Sequence, residues 1–284
     1  MCYNFLVFQK RIGNSMIIDF HAHIFPERIA AKTISLLSEK GGYPAHSDGT
    51  VNGLLCEMER AGVDLAVTLP VLTSPHQFDS VNRFAAEVNR AFADKERRLL
   101  SFGGIHPACE DIEGKMDYLA ECGFLGVKIH PDYQETFIDD EGYLRIVESA
   151  KRNDMIVVTH AGPDPAYRDR PVRCTPRRFK ELIRAVPHAK LVLAHMGGGG
   201  MADEVISELC GEDVYFDTAY VLPFLDAELF RKLLHLHGED KILFATDSPW
   251  SSAKESVNII RSYSLGRETE EKIFYKNAAR LLKG

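Results

Sequence analysis

Two histidines near the start of the chain, His21 and His23, have the spacing that most directly indicates chemistry. They follow the apolar run 16–18, which is typical of a buried strand. Because side chains alternate along a strand, residues two apart point to the same side. Two imidazoles on one rigid strand end can bind a transition metal without backbone movement. For an isolated His-x-His pair, two core histidines are the favoured interpretation, so the other strand ends must decide.

Six of the eight apolar, β-rich segments end in a side chain that could bind a metal or transfer a proton. Core filling does not explain this pattern, because His and Asp rarely fill a core. The strand-end residues are His21, His23, His106, Lys128, His130, His160, His195 and Asp247. We expect them to converge, since the carboxyl ends of barrel strands share one face.

The segments that carry these residues alternate with segments of helical spacing. The predicted strands cover residues 17–23, 65–72, 99–106, 125–130, 155–160, 190–195, 214–218 and 241–247. Helical spacing is found at 81–93, 143–151, 177–186, 227–236 and 253–263, and over a shorter stretch at 202–210. Continuously apolar strands that each precede a helix indicate a parallel sheet covered on both faces.

Eight such units in 284 residues predict an α/β fold, a (β/α)8 TIM barrel in a single domain over residues 16–284. Segment 27–62 is long enough for a two-helix insertion after the first strand. Residues 1–15 are predicted to be a peripheral N-terminal extension. The alternative is an open doubly wound sheet, but the glycine-rich phosphate turn typical of that fold does not follow the first strand.

Composition narrows the classes of partner. A net charge of −7 and a pI near 5.9 argue against nucleic-acid binding. No apolar run approaches the ~18 residues of a membrane helix. The six cysteines are scattered without a Cys-x-x-Cys motif, which predicts reduced thiols and a cytoplasmic location. We therefore expect a small-molecule substrate and no nucleic-acid or membrane partner, and the sequence leaves a homo-oligomer open.

Five motifs in order along the chain carry a family resemblance: DFHAH at 19–23, GVKIHP at 126–131, THAG at 159–162, LAHMGG at 193–198 and ATDSPW at 245–250. The chain resembles the amidohydrolase superfamily, and within it the amidohydrolase-related group of metal-dependent TIM-barrel hydrolases and decarboxylases. The resemblance implies His21, His23, His160 and Asp247 as ligands of one metal ion. Three imidazoles and a carboxylate suit Zn²⁺ with an open position for water, and Mn²⁺, Fe²⁺ or Co²⁺ could use the same donors.

The resemblance leaves two roles open for His195, a second-metal ligand or an acid/base residue, and we favour the second. Lys128 could be carboxylated and bridge two metals, or act as an ammonium group that binds a substrate carboxylate. We favour one metal, with Lys128, His130 and Arg173 as substrate-binding residues. Arg173 belongs to the polar loop after His160, where an arginine fork could hold a carboxylate.

These assignments predict a metal-dependent hydrolase that acts on a small carbonyl-containing substrate, which could itself carry a carboxylate. A metal-activated water would attack, Asp247 would take its proton, and His195 would stabilise the oxyanion or relay the proton. The alternative is a zinc-dependent non-oxidative decarboxylase that uses the same site. A third hypothesis is a barrel that binds a ligand without turnover.

Overall fold

The computed structural model describes residues 16–95 and 98–283. Within this part of the chain the centre is built from short parallel strands. They are β1 (Ile18–Ala22), β2 (Leu65–Thr68), β3 (Arg98–Ser101), β4 (Gly103–Gly104), β5 (Gly126–Ile129), β6 (Ile156–Thr159), β7 (Lys190–Leu193), β8 (Tyr215–Asp217) and β9 (Ile242–Leu243). The predicted extension 1–15 lies outside the described residues.

The strands follow one another around a barrel in chain order. One sheet has the order β1-β2-β3 and the other the order β4 to β9. β3 and β4 are two parts of one barrel strand separated by Phe102, whose N–H donates to the Thr68 carbonyl at 3.0 Å. The Phe20 N–H donates to the Phe244 carbonyl at 2.9 Å, and Ala22 pairs in parallel with Ser248. These contacts join the last strand to the first, which confirms the predicted (β/α)8 barrel.

Helices surround the strands and cover their outer faces. They are α1 (Glu27–Gly41), α2 (Val51–Ala61), α3 (Phe78–Phe92), α4 (Ile112–Glu121), α5 (Glu141–Arg152), α6 (Pro176–Ala185), α7 (Ala202–Glu208), α8 (Ala227–His237), α9 (Ala253–Ser262), α10 (Arg267–Glu271) and α11 (Asn277–Leu281). Side-chain caps define several starts: Thr50 accepts the Gly53 N–H before α2, and Asp226 accepts the Leu229 N–H before α8. α1 and α2 form the predicted insertion after the first strand.

Two apolar clusters account for the alternation along the strands. One cluster uses alternate strand residues from around the barrel and fills its interior, with members that include Ile18, Phe20, Val67, Phe102, Val158, Val192 and Leu243. The other lies between the strands and the helices, with members that include Val127, Val157, Leu191, Phe216 and Phe230. Both faces of each strand are therefore buried, as the continuous apolar runs predict.

An irregularity in β1 positions the first two histidines. The register between β1 and β2 shifts between Asp19 and Ala22. Phe20 packs in the barrel interior, yet the next residue, His21, also turns inward and contacts Asp217 of β8. A bulge re-aims side chains in this way, and bulges are frequent beside active sites.

Most strands are shorter than predicted, and some elements differ more strongly from the prediction. The predicted strand 241–247 pairs regularly only as β9, and the next N–H, that of Phe244, donates to the Ile273 carbonyl and not to a strand. The segment 202–210 is the shorter helix α7, and α4 was not among the predicted helices. No helix among the described residues is long and apolar enough to cross a bilayer.

Candidate metal centre

Three of the predicted ligands meet at one point above the barrel. The Nε2 atoms of His21 and His23 are 3.2 Å apart. Asp247 Oδ1 lies 3.1 Å from His23 Nε2 and 3.3 Å from His21 Nε2. The three ligand atoms therefore form a compact triangle, and strand ends 226 residues apart in sequence build it (247 − 21).

The hydrogen bonds of the two Nδ1 atoms determine whether the Nε2 atoms in the triangle carry a proton. His21 Nδ1 is 2.9 Å from Asp217 Oδ2, and His23 Nδ1 is 2.8 Å from the Leu69 carbonyl. Both partners are acceptors, so each Nδ1 carries the proton and each Nε2 presents a lone pair. Two lone pairs and a carboxylate oxygen then face one another without a proton between them. This donor set fits a divalent cation, whose charge would offset the repulsion.

His160 and His195 form a second histidine pair beside the triangle. His195 Nδ1 is 2.9 Å from the Ala219 carbonyl, and its Nε2 is 3.0 Å from His160 Nδ1. His160 is not among the residues whose ligand atoms lie within 4.8 Å of one another in the triangle. Its Nε2 is buried and has no hydrogen-bond partner among the described residues. The predicted fourth ligand, His160, therefore contacts His195 beside the triangle and is not itself part of the triangle.

Two of these site residues have a strained backbone. His195 and Asp247 have φ values of 57° and 66°, in the left-handed region that non-glycine residues rarely adopt. The loop after His195 also approaches the loop after His160 closely, because a Cβ on Gly162 would lie 2.3 Å from the Gly198 carbonyl oxygen. Gly162 can therefore be replaced only with a shift of one loop.

Lys128 of β5 is fully buried directly beside the triangle. Its Nζ lies 3.0 Å from His21 Nε2. Burial lowers the Lys128 pKa to about 8, although the charges of Asp217 and Asp247 act in the opposite direction. Burial also lowers the pKa of His21, and the neighbouring Lys128 charge adds to this effect. The site thus places one ionisable amine beside an imidazole whose pKa is lowered.

His130 lines the same cavity and has a defined tautomer. Its Nδ1 accepts the Tyr133 N–H at 3.3 Å, so its Nε2 carries the proton. That Nε2 lies 3.3 Å from Asp164 Oδ2, and the ring stacks on His160 with 4.2 Å between centroids. Burial lowers the pKa values of both His130 and His160 well below their usual range.

Arg173, predicted to bind substrate, does not line the cavity. Its guanidinium donates to Asp132 Oδ1 at 3.3 Å. Asp132 is buried, so a nearby cation stabilises its charge, and the pairing turns the arginine away from the site. Arg168 and Arg170 of the same loop line the cavity instead. The other predicted ligands and the catalytic and substrate-binding residues line it, whereas His106, expected at the same face, does not.

The cavity above the triangle has a volume of about 1200 Å³. Aromatic side chains make up much of its wall near the metal centre. Tyr43 contacts both Tyr220 and Trp250, with ring centroids 5.6 and 5.3 Å apart. Tyr133 and Tyr167 form a second contact, at 5.2 Å. Such walls suit a flat apolar ligand with a few polar groups.

Two acidic residues of the site were missed by the sequence reasoning. Asp217 holds His21 and also accepts the N–H groups of His195 and Ala219 through Oδ1, at 2.9 and 3.1 Å. Asp164 holds His130. The sequence did contain a signal for Asp217, because it is an acidic residue near the carboxyl end of the predicted strand 214–218, where site residues are expected. Asp164 is in a loop, where the sequence offered no comparable signal.

A comparison with protein-family models supports the family resemblance that the motifs indicate. The amidohydrolase family model matches residues 18–284. The chain belongs to the amidohydrolase family. It is accordingly an enzyme of the amidohydrolase superfamily. A search of curated protein sequences found no match.

Solved structures show the same fold at low sequence identity. The 5-carboxyvanillate decarboxylase of Sphingomonas paucimobilis is 17% identical, with a TM-score of 0.70 over 94% of this chain and 99% of that chain. The 2,6-dihydroxybenzoate decarboxylase of Rhizobium is 16% identical, with a TM-score of 0.71 over 95% and 99%. A dihydroxybenzoic acid decarboxylase of Polaromonas sp. JS666, crystallised with manganese and 2-nitroresorcinol, is 16% identical, with a TM-score of 0.71 over 95% and 97%.

Proposed function

We propose that this enzyme catalyses the metal-dependent, non-oxidative decarboxylation of an aromatic acid. The observation that carries the proposal is the triangle of His21, His23 and Asp247 with Lys128 buried beside it. Decarboxylases of aromatic acids are prominent among the structures of the same fold. They support the decarboxylase, which was the alternative hypothesis from the sequence. Hydrolysis, the main hypothesis, has no comparable support among these structures.

His21, His23 and Asp247 would hold the metal ion, with His160 as the further ligand that the family resemblance implies. A bound divalent cation acts as a Lewis acid and stabilises negative charge on substrate oxygens. Imidazole and carboxylate donors accept both Mn²⁺ and Zn²⁺. Manganese is the better supported choice here, because structures of similar fold contain it.

The protein's own residues would bind the acid and supply a proton. The Lys128 ammonium would attract the substrate carboxylate, and the aromatic wall would hold the ring. When the bond to the carboxylate breaks, carbon dioxide leaves and the electron pair stays on the ring carbon, which must gain a proton. His195 would deliver it: Nδ1–H of this ring is held by the Ala219 carbonyl, so Nε2 would first take up a proton from solvent and then pass it to the ring carbon.

Product analysis with manganese-loaded protein tests this function. A panel of hydroxylated benzoic acids should release carbon dioxide, and in D₂O the product should carry one deuterium on the ring. His195→Gln should bind manganese normally and lose turnover, whereas His235→Gln, at an exposed position on α8, should behave as wild type. Hydrolysis of amides or lactones with ¹⁸O uptake from water, and no carbon dioxide from any acid, would contradict the proposal.

A further inference from the structure

The cavity is larger than a one-ring acid requires. Its volume of about 1200 Å³ exceeds the roughly 300–1,000 Å³ of pockets that enclose drug-sized ligands. The metal centre occupies only part of this space, and the same continuous cavity extends to helices α1 and α3. The additional volume therefore belongs to the catalytic cavity and not to a separate site.

One face of α1 borders this additional volume. Ile29, Thr33, Leu36 and Lys40 follow one another at helical spacing and all line the cavity. The helix buries only Ala30 and Gly41. Ile29 is 42% exposed and Leu36 59% exposed, so the described residues leave much of the apolar surface on this face uncovered.

Exposed apolar residues are concentrated at this cavity. Among the described residues, five large apolar side chains are strongly exposed, and three of them (Ile29, Leu36 and Phe224) line it. Phe224 is 73% exposed. Val81 and Phe84 of α3 add partly buried apolar side chains to the same lining. Contiguous exposed apolar surface of this kind marks a binding region.

We infer that the substrate carries an extended uncharged apolar substituent. The substituent would lie along the apolar arm, defined here as Ile29, Leu36, Val81, Phe84 and Phe224, while the acid group is at the metal centre. The inference rests on the proposed function, because that function places the carboxylate. It adds that a benzoic acid with an apolar tail binds more tightly than the same acid without one.

The cations near the arm favour an uncharged substituent, because several of them are already engaged. Lys40 Nζ lies 3.7 Å from the centroid of the Tyr167 ring. Arg168 donates to the Gly41 carbonyl at 3.1 Å, and Arg170 pairs with Glu135. These groups would lose existing contacts if they bound a second anionic group on the substrate.

Calorimetric binding to the full-length, manganese-loaded protein tests the inference independently of turnover. The probes are benzoate, 4-butylbenzoate and 4-hexylbenzoate, with 4-butylphenol and 4-hexylphenol as tails without a carboxylate. The affinity should rise about two- to fourfold per added methylene. In Ile29→Ser/Leu36→Ser most of this gain should disappear, because two apolar contacts are lost at exposed positions that do not support the fold. Leu236→Ser, an exposed leucine outside the cavity, should retain the full gain.

The results separate failure of the inference from failure of the proposed function. If benzoate binds but the affinity does not change with chain length, the apolar arm does not take a substrate tail. If the affinity of the phenols rises with chain length and the carboxylate adds nothing, the tail assignment holds and the assigned role of the metal centre fails. If light scattering shows a dimer that dissociates in the double serine variant, and chain length has no effect, the arm is an interface between copies and the inference is overturned.

Discussion

Replacing Asp217 by asparagine should weaken metal binding without harming the metal-free fold. The carboxylate has two separate tasks. Oδ1 accepts the N–H groups of His195 and Ala219, and Oδ2 faces His21 Nδ1 at 2.9 Å. In asparagine the single oxygen must stay with the two N–H donors, so the NH₂ group faces His21 Nδ1. Two donors cannot meet there, and His21 must move its proton to Nε2.

The proton shift removes one ligand atom from the triangle. His21 Nε2, 3.3 Å from Asp247 Oδ1, becomes a donor and no longer offers a lone pair to a cation. Changes in the groups that orient metal ligands typically weaken binding 10- to 100-fold, or about 1.4–2.7 kcal/mol. In the metal-free protein the new Nε2–H can donate to Asp247, and this bond replaces the one that Nε2 accepts from Lys128 in the wild type.

Isothermal titration with Mn²⁺ and thermal denaturation of the metal-free protein measure the two effects separately. We expect a 10- to 100-fold higher Kd for Asp217→Asn, with the melting temperature of the metal-free protein close to wild type. The matched control is Asp213→Asn, an exposed position whose carboxylate pairs with Lys241, and its Kd should not change. An unchanged manganese Kd in Asp217→Asn would refute the reasoning about the tautomer of His21.

Three further predictions concern the metal ligands and the acid stability of the protein. Asp247→Asn should lower turnover by at least about 100-fold, because loss of a direct ligand weakens metal binding more than loss of a group that orients one. Carbon dioxide release measures the turnover, and an unchanged circular dichroism spectrum shows that the fold is intact. Substantial activity in this variant would exclude the assigned metal site. Removal of the metal with a chelator should lower the melting temperature by about 5–10 °C if the protein is about 100-fold above its Kd, a stabilisation of about 2.7 kcal/mol, and Mn²⁺ should restore it. Burial lowers the pKa of His237 to about 4. Because the unfolded imidazole takes up a proton near pH 6.5, wild type should lose up to about 3 kcal/mol of unfolding free energy between pH 6.5 and 4 from this group. Urea unfolding should show that His237→Gln lacks this part of the pH dependence, and equal slopes for both proteins would contradict it.

His237 also illustrates where local patterns mislead. The sequence places it in a predicted helix or loop, where an exposed position is the usual expectation. In the structure its ring stacks on Phe216 at 3.8 Å, and Nε2 donates to the Val214 carbonyl at 3.0 Å. A local signal did exist, because Phe230, Leu233, Leu234 and His237 are buried at helical spacing on one face of α8. The residue type and the predicted helix end at 236 pointed instead to an exposed position.

The sequence by itself determined the barrel and the histidine pair on its first strand. Continuous apolar runs, helical spacing, strand-end residue types and the two-residue spacing of His21 and His23 are all local properties. The motifs and their order along the chain also indicated the amidohydrolase family. None of these features needs knowledge of a contact between distant segments.

Only the tertiary structure decided how the site is held and what surrounds it. The contact between His21 and Asp217 joins residues 196 positions apart, and it selects the tautomer that a metal ligand needs. Arg173 turns to the buried charge of Asp132, because a flexible cation pairs with the acid that folding brings closest. Similarly, the position of α1 at the barrel mouth makes its apolar residues Ile29 and Leu36 line a cavity and not pack in a core. Hydrogen-bond direction and cavity shape depend on distances between segments, and the residue order does not contain those distances.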